Sequence, residues 1–147
     1  VHSQDASAWI YAAGLLHFNL ELLTIDLGLQ GLPHHLIGFS QGAALGLVYS
    51  ILYLPPLAKT ALLAGFVPEG YSLTSKSLGH RTYFIYHGLN DTTILPDKAA
   101  HLVQSLQDTG AAIEYCKSTA GHKLSLACLE AMEKYFLGDQ PPVNQRP

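Results

Sequence analysis

His35-Leu36-Ile37-Gly38-Phe39-Ser40-Gln41-Gly42-Ala43-Ala44-Leu45-Gly46-Leu47-Val48 is the stretch whose reading decides the fold of this chain. The apolar residues before Gly38 read as a strand, and those after Gly42 as a helix. Between them lies a G-x-S-x-G pentapeptide, which in a strand–turn–helix setting forms a nucleophile elbow. There the serine takes a strained backbone conformation that lifts its Oγ clear of the sheet. Glycines two positions to either side are expected to keep side chains from colliding with neighbouring strands and the following helix. The bare pattern occurs by chance, and a serine at such a turn also reads as a helix N-cap. Its flanks and its partners further along the chain separate the two readings.

Working outward, Ser3 or Asp5 is expected to cap an amphipathic helix with Ala6, Trp9, Ile10, Ala13, Leu16, Leu20, Leu23 and Leu27 on its buried stripe. Gly28, Gly31 and Pro33 end it. His34 to Phe39 is the strand before the elbow. Gln41 to about Tyr53 is the helix after it, stopped by Pro55-Pro56. Lys59 to Phe66 reads as a second buried strand, Val67 to His80 as a loop, and Arg81 to Gly88 as a third strand rich in aromatic residues. Pro96 opens a helix over Asp97 to Thr109 that Gly110 ends. Ala112 to Ser118 is a fourth strand and Lys123 to Leu137 a closing helix. Residues 1–137 thus form one α/β unit with a mainly parallel sheet of about four strands flanked by helices. Residues 138–147 form a polar tail.

Composition narrows the function classes. The chain has 147 residues, 48% hydrophobic and 13% charged. This low charge suits a parallel sheet covered on both faces, or a surface covered by another chain. The net charge of −3 and the lack of a basic run argue against nucleic acid or an acidic membrane surface as partner. No apolar run reaches the roughly 18 residues of a membrane span, and no signal-peptide pattern stands at the start, so no membrane span and a cytoplasmic location are expected. Cys116 and Cys128 are able to pair. Neither sits in a C-x-x-C or metal-ligand array, so each is read as a buried reduced thiol and no metal site is expected.

Three residues with complementary chemistry follow the C-terminal ends of predicted strands. Ser40 follows the first, Asp91 the third, in His87-Gly88-Leu89-Asn90-Asp91, and His122 the fourth, in Ala120-Gly121-His122-Lys123. Ligands bind outside the carboxyl ends of strands in open α/β sheets, and the order Ser, Asp, His is that of an α/β-hydrolase. A serine hydroxyl needs a base to take its proton. A histidine titrating near neutrality serves, and a carboxylate fixes its tautomer. The plainer readings are an Asx turn for Asp91 and a helix-entry residue for His122. Asp97, at a helix start, and Glu114, in mid-strand, are poorer acids for the role. His34, His35, His80 and His87 read as structural and His101 as a surface position.

Gly38-Phe39-Ser40-Gln41-Gly42-Ala43-Ala44, His87-Gly88-x-x-Asp91 and Gly121-His122 resemble the phospholipase/carboxylesterase group of α/β-hydrolases, which includes acyl-protein thioesterase-like enzymes. The similarity runs from about His34 to Leu137. It implies an α/β-hydrolase fold and hydrolysis of carboxylic esters or thioesters through an acyl-enzyme without a cofactor. Carried onto this chain, Ser40 is the nucleophile, Asp91 the orienting acid, His122 the base, and the amide of Gln41 one oxyanion donor. Phe66, Val67, Leu89, Ile94 and Leu124 lie in loops suited to an apolar acyl pocket, although core packing explains most of them equally well.

The family places several strands before the elbow, and a loop after one of them supplies the second oxyanion N–H. Only one helix precedes the Ser40 strand here, and no H-G-G-type segment stands upstream of residue 34. The expectation is the C-terminal portion of a longer hydrolase. The alternative is that a partner chain or a second copy covers the vacant sheet edge. The leading function is therefore a serine esterase or thioesterase acting on small or medium acyl esters. The competing function is a non-catalytic half-domain that pairs with another polypeptide to complete a hydrolase fold.

Overall fold

The computed structural model describes residues 6–53, 57–73 and 78–138. Along the chain come α1 (Ala6–Asp26), β1 (His34–Phe39), α2 (Gln41–Leu52), β2 (Leu57–Leu63), β3 (Thr82–Gly88), α3 (Pro96–Gln107), β4 (Ala112–Ser118) and α4 (Leu126–Leu137). The expected caps Ser3 and Asp5, the helix stop at Pro55-Pro56 and the tail beyond residue 138 lie outside the described residues.

The strands form one parallel sheet in the order β1-β2-β3-β4. Its register pairs Phe39 with Leu63, Leu63 with Tyr86, and Tyr86 with Cys116. The C-terminal ends of all four strands are thereby aligned, and the loops that follow them emerge along one rim. Side chains alternate across the sheet, as the period of two requires. Tyr83 and Ile85 of β3 pack with Leu47 and Ile51 of α2 and Leu102 and Leu106 of α3. Phe84 and Tyr86 face the other way and pack with Cys128 and Met132 of α4.

α1 lies on α2 rather than on the sheet, with Trp9, Ala13, Leu16 and Leu20 grouped around Val48 and Tyr49. The expected single apolar stripe needs correction here. Ile10 and Leu23 of that stripe are exposed, and so are Tyr11, Leu15, Phe18 and Leu22. The helix is apolar all round. By length and mean hydropathy, 1.3 over its most apolar stretch, it has the composition of a membrane span. Core helices and signal sequences satisfy the same measure, so composition alone assigns α1 no membrane role.

Of the boundaries that shift from the sequence reading, two have a clear local reason. β2 ends at Leu63 because Ala64 turns out of the extended region to φ 49°. α4 starts at Leu126, because Ser125 caps it by accepting a hydrogen bond from Cys128 N–H. The cysteines also differ from expectation. Cys116 of β4 and Cys128 of α4 form a disulfide, clamping the closing helix to the sheet.

Candidate active site

Ser40 sits at the tip of the β1–α2 turn with φ 55° and ψ −119°. A left-handed φ is costly for a residue with a Cβ, of order 1–3 kcal/mol. The surrounding backbone holds it there. Ser40 N–H donates to Leu63 C=O at 2.8 Å, and Ser40 C=O accepts from Ala43 and Ala44 N–H at 3.0 and 3.2 Å. Only one of the flanking glycines is sterically required. A Cβ on Gly38 would lie 2.4 Å from the carbonyl oxygen of Gly42, whereas one on Gly42 would meet nothing within 4 Å. The side chain of Ser40 makes no capping hydrogen bond to α2. Its Oγ instead lies 3.0 Å from His122 Nε2.

His122 stands in the loop between β4 and α4, three residues ahead of the Ser125 cap, so it is not a helix-entry residue. Its Nδ1 is 2.7 Å from Asp91 Oδ2. Asp91 is buried in the loop after β3 and uses its two oxygens differently. Oδ1 accepts from Thr93 N–H at 2.8 Å and Ile94 N–H at 2.9 Å, the local turn bonding that the sequence also allowed, while Oδ2 faces His122. Burial pushes the Asp91 carboxyl up. The hydrogen bonds from His122, Ile94 and Thr93 outweigh that and hold it below the ordinary carboxylate range. The carboxylate is therefore ionised at neutral pH. An ionised carboxylate only accepts, so His122 carries its proton on Nδ1 and presents bare Nε2 to Ser40 Oγ–H.

Residues outside the motifs hold these loops together. Leu89 N–H donates to Ser118 C=O at 2.7 Å, Asn90 N–H to Ala120 C=O at 3.1 Å, and Asn90 Nδ2 to Thr119 C=O at 2.6 Å. Tyr86 O–H donates to Lys123 C=O at 2.7 Å and accepts from Ser118 Oγ–H at 2.9 Å. The acid loop and the histidine loop are thus sewn edge to edge. Asn90 and Tyr86 escaped the sequence reading because their partners are more than 25 residues away.

Beside the elbow lies a cavity of about 790 Å³ lined by Gln41, Phe66, Val67 and Ile94 from the expected set. Trp9 of α1 adds a wall, meeting Phe66 edge-on with ring centroids 6.0 Å apart. Leu89 and Leu124 do not line it. Leu89 is 49% exposed, and Leu124 packs beneath α4 with Phe84 and Tyr86 on the opposite face of the sheet. His101, Lys98, Asp97 and Glu69 also border this cavity. Gln41 is the first residue of α2. The first amides of a helix have no intrahelical acceptor, so they are available to an anion. Among the described residues no group of His, Cys, Asp and Glu is arranged to hold a metal ion.

A parallel sheet with a strained serine turn and a rim of loops at its C-terminal edge defines an α/β-hydrolase architecture. The chain belongs to the phospholipase/carboxylesterase family, which matches residues 29–137. It is 29% identical over 106 residues to a probable carboxylesterase, SOBER1-like, of Arabidopsis thaliana, covering 69% of this chain and 40% of that protein. A probable carboxylesterase of Oryza sativa subsp. japonica is 29% identical over 140 residues, 90% of this chain and 51% of that protein. The crystal structure of the Bacillus cereus carboxylesterase matches with a TM-score of 0.78 at 20% identity, covering 90% of this chain and 62% of that one. The chain spans about half the length of the curated relatives it matches.

Proposed function

We propose that this chain carries the reaction centre of a serine hydrolase that cleaves carboxylic esters or thioesters through an acyl-enzyme. The observation that carries the reading is the unbroken path from Ser40 Oγ through His122 to Asp91, at 3.0 and 2.7 Å. In this reading His122 Nε2 takes the Ser40 proton as Oγ bonds to the acyl carbon. The amide of Gln41 donates to the oxygen that becomes negative. The Asp91 carboxylate holds the Nδ1–H tautomer and stabilises the imidazolium. The imidazolium then gives its proton to the leaving alcohol or thiol as the carbon–oxygen or carbon–sulfur bond breaks. Water, deprotonated by His122, releases the acid and restores Ser40. The apolar walls Trp9, Phe66 and Ile94 support an acyl chain as the group bound beside the elbow.

The test is turnover of activated short-chain oxyesters and thioesters, together with labelling by a fluorophosphonate. Ser40→Ala is expected to abolish both while leaving the circular dichroism spectrum unchanged, a loss of at least about 10⁴-fold. Retained turnover in that variant would rule the reading out.

A second reading is favoured by β1, an edge strand whose Ile37 and Phe39 are more than 40% exposed. In it the chain is a half-domain that pairs with another polypeptide along that edge. Light scattering on the purified chain, run beside the labelling, separates the two. A labelled monomer supports the enzyme and an unlabelled dimer the pairing role.

A further inference from the structure

His87, at the end of β3, is the least expected side chain near the site. Its residue is 0% exposed, and the sequence offers no role for it beyond packing. Its Nε2 lies 2.8 Å from the carbonyl oxygen of Ile94 and 3.7 Å from Asp91 Oδ2. A carbonyl only accepts, so Nε2 carries the proton and Nδ1 is bare. Nδ1 finds no hydrogen-bond partner among the described residues. The bond gained at one nitrogen is thus set against an unmatched acceptor at the other, and such terms are similar in size. Stability alone therefore gives no reason for a histidine at this position.

The Ile94 backbone gives one. Its N–H holds Asp91 Oδ1 at 2.9 Å, its C=O is held by His87, and its side chain lines the cavity beside the elbow. The geometry points to His87 as a positioning residue. By fixing the Ile94 carbonyl it sets the loop that aims the Asp91 carboxylate at His122. The inference rests on the serine-hydrolase reading and adds to it a residue that never touches substrate. The 3.7 Å approach to Asp91 Oδ2 is too long for a second hydrogen bond. It places the Nε2–H dipole beside an ionised carboxylate, which favours the same arrangement.

The variants His87→Leu and His87→Gln test it. Leucine removes the donor, and the terminal amide of glutamine can restore one at a similar reach. His87→Leu is expected to lower kcat on a short activated ester about 10- to 100-fold, the scale of misplacing a reacting group by about an ångström. KM is expected to stay within about twofold, and His87→Gln to recover most of the rate. Equal kcat in wild type and the leucine variant would overturn the inference, as would a glutamine variant no better than leucine at matched stability. Should His87→Leu fail to fold, long-range proton–nitrogen NMR of the wild-type protein decides. The Nε2–H tautomer is expected for His87, as the contact with the Ile94 carbonyl requires, and finding the proton on Nδ1 overturns the inference. Fluorophosphonate labelling of wild type, absent in Ser40→Ala, keeps the outcomes distinct. Without that labelling the hydrolase reading itself fails; with it, only the role of His87 is at stake.

Discussion

Gly88 closes on Ala120 so tightly that a Cβ on the glycine would lie 2.3 Å from the Ala120 carbonyl oxygen and 2.4 Å from that of Gly121. The pair brings the end of β3 against the loop beyond β4, and the bonds from Leu89 and Asn90 continue that seam. Asp91 and His122 meet because their loops touch as backbone before their side chains touch.

Gly88→Ala is therefore expected to push these loops apart. The clash is with backbone oxygen and no side chain can turn aside to relieve it, so the cost is about 1–3 kcal/mol or more. Denaturant unfolding measures it, and under the serine-hydrolase reading ester turnover is expected to fall by more than the loss of folded protein accounts for. A variant with wild-type turnover would mean that the Asp91–His122 contact does not depend on this closure.

The two glycines of the elbow are predicted to behave oppositely. Gly38→Ala places its methyl against Gly42 backbone and should unfold the turn or the domain. Gly42→Ala meets open space at the start of α2 and should be neutral or stabilising, by up to about 1 kcal/mol. Thermal unfolding of both variants checks the contrast.

Asp91→Asn keeps the shape of the acid and removes its charge. Under the serine-hydrolase reading, kcat is expected to fall about 10⁴-fold as His122 loses the partner that fixes its tautomer. Stability changes as well. The folded-state carboxyl is held below its ordinary value, so its contribution is fully present above about pH 4 and is lost as pH falls through the folded value. The asparagine variant lacks that contribution. Acid-unfolding profiles that superimpose would contradict the assignment of these hydrogen bonds.

Removing the disulfide in Cys116→Ala/Cys128→Ala opens a link between residues 12 apart in sequence. The expected loss is about 2–3 kcal/mol by the chain-entropy account. A reductant should shift the wild-type unfolding midpoint in the same direction and leave the double variant unmoved.

Much of this architecture was legible because it is local. β1 occupies the residues that the sequence assigns to it, and Ser40 turns where the apolar strand meets the glycine-flanked helix start. The order of Ser40, Asp91 and His122 was equally plain, each in the segment that follows a strand end. The start of α4 was not. The apolar residues Leu124 and Leu126 read as helix on either side of Ser125, and only the hydrogen bond to Cys128 shows which of them lies inside. The all-round apolar character of α1 was present in its composition, but a stripe at helical spacing drew the eye to the packed face alone.

The sequence by itself determined the class of fold, the family and the residue types available for chemistry, since these follow from periodicity and motif over short stretches. Tertiary structure decided which residues meet. It paired Cys116 with Cys128, sent Leu89 and Leu124 away from the cavity, brought Trp9 into it, and set His87 behind the Asp91 loop. The physical reason is the parallel sheet. Its register aligns strand ends that are 20 or more residues apart in the chain, and a contact across that distance depends on how strands pair, which no single stretch of sequence encodes.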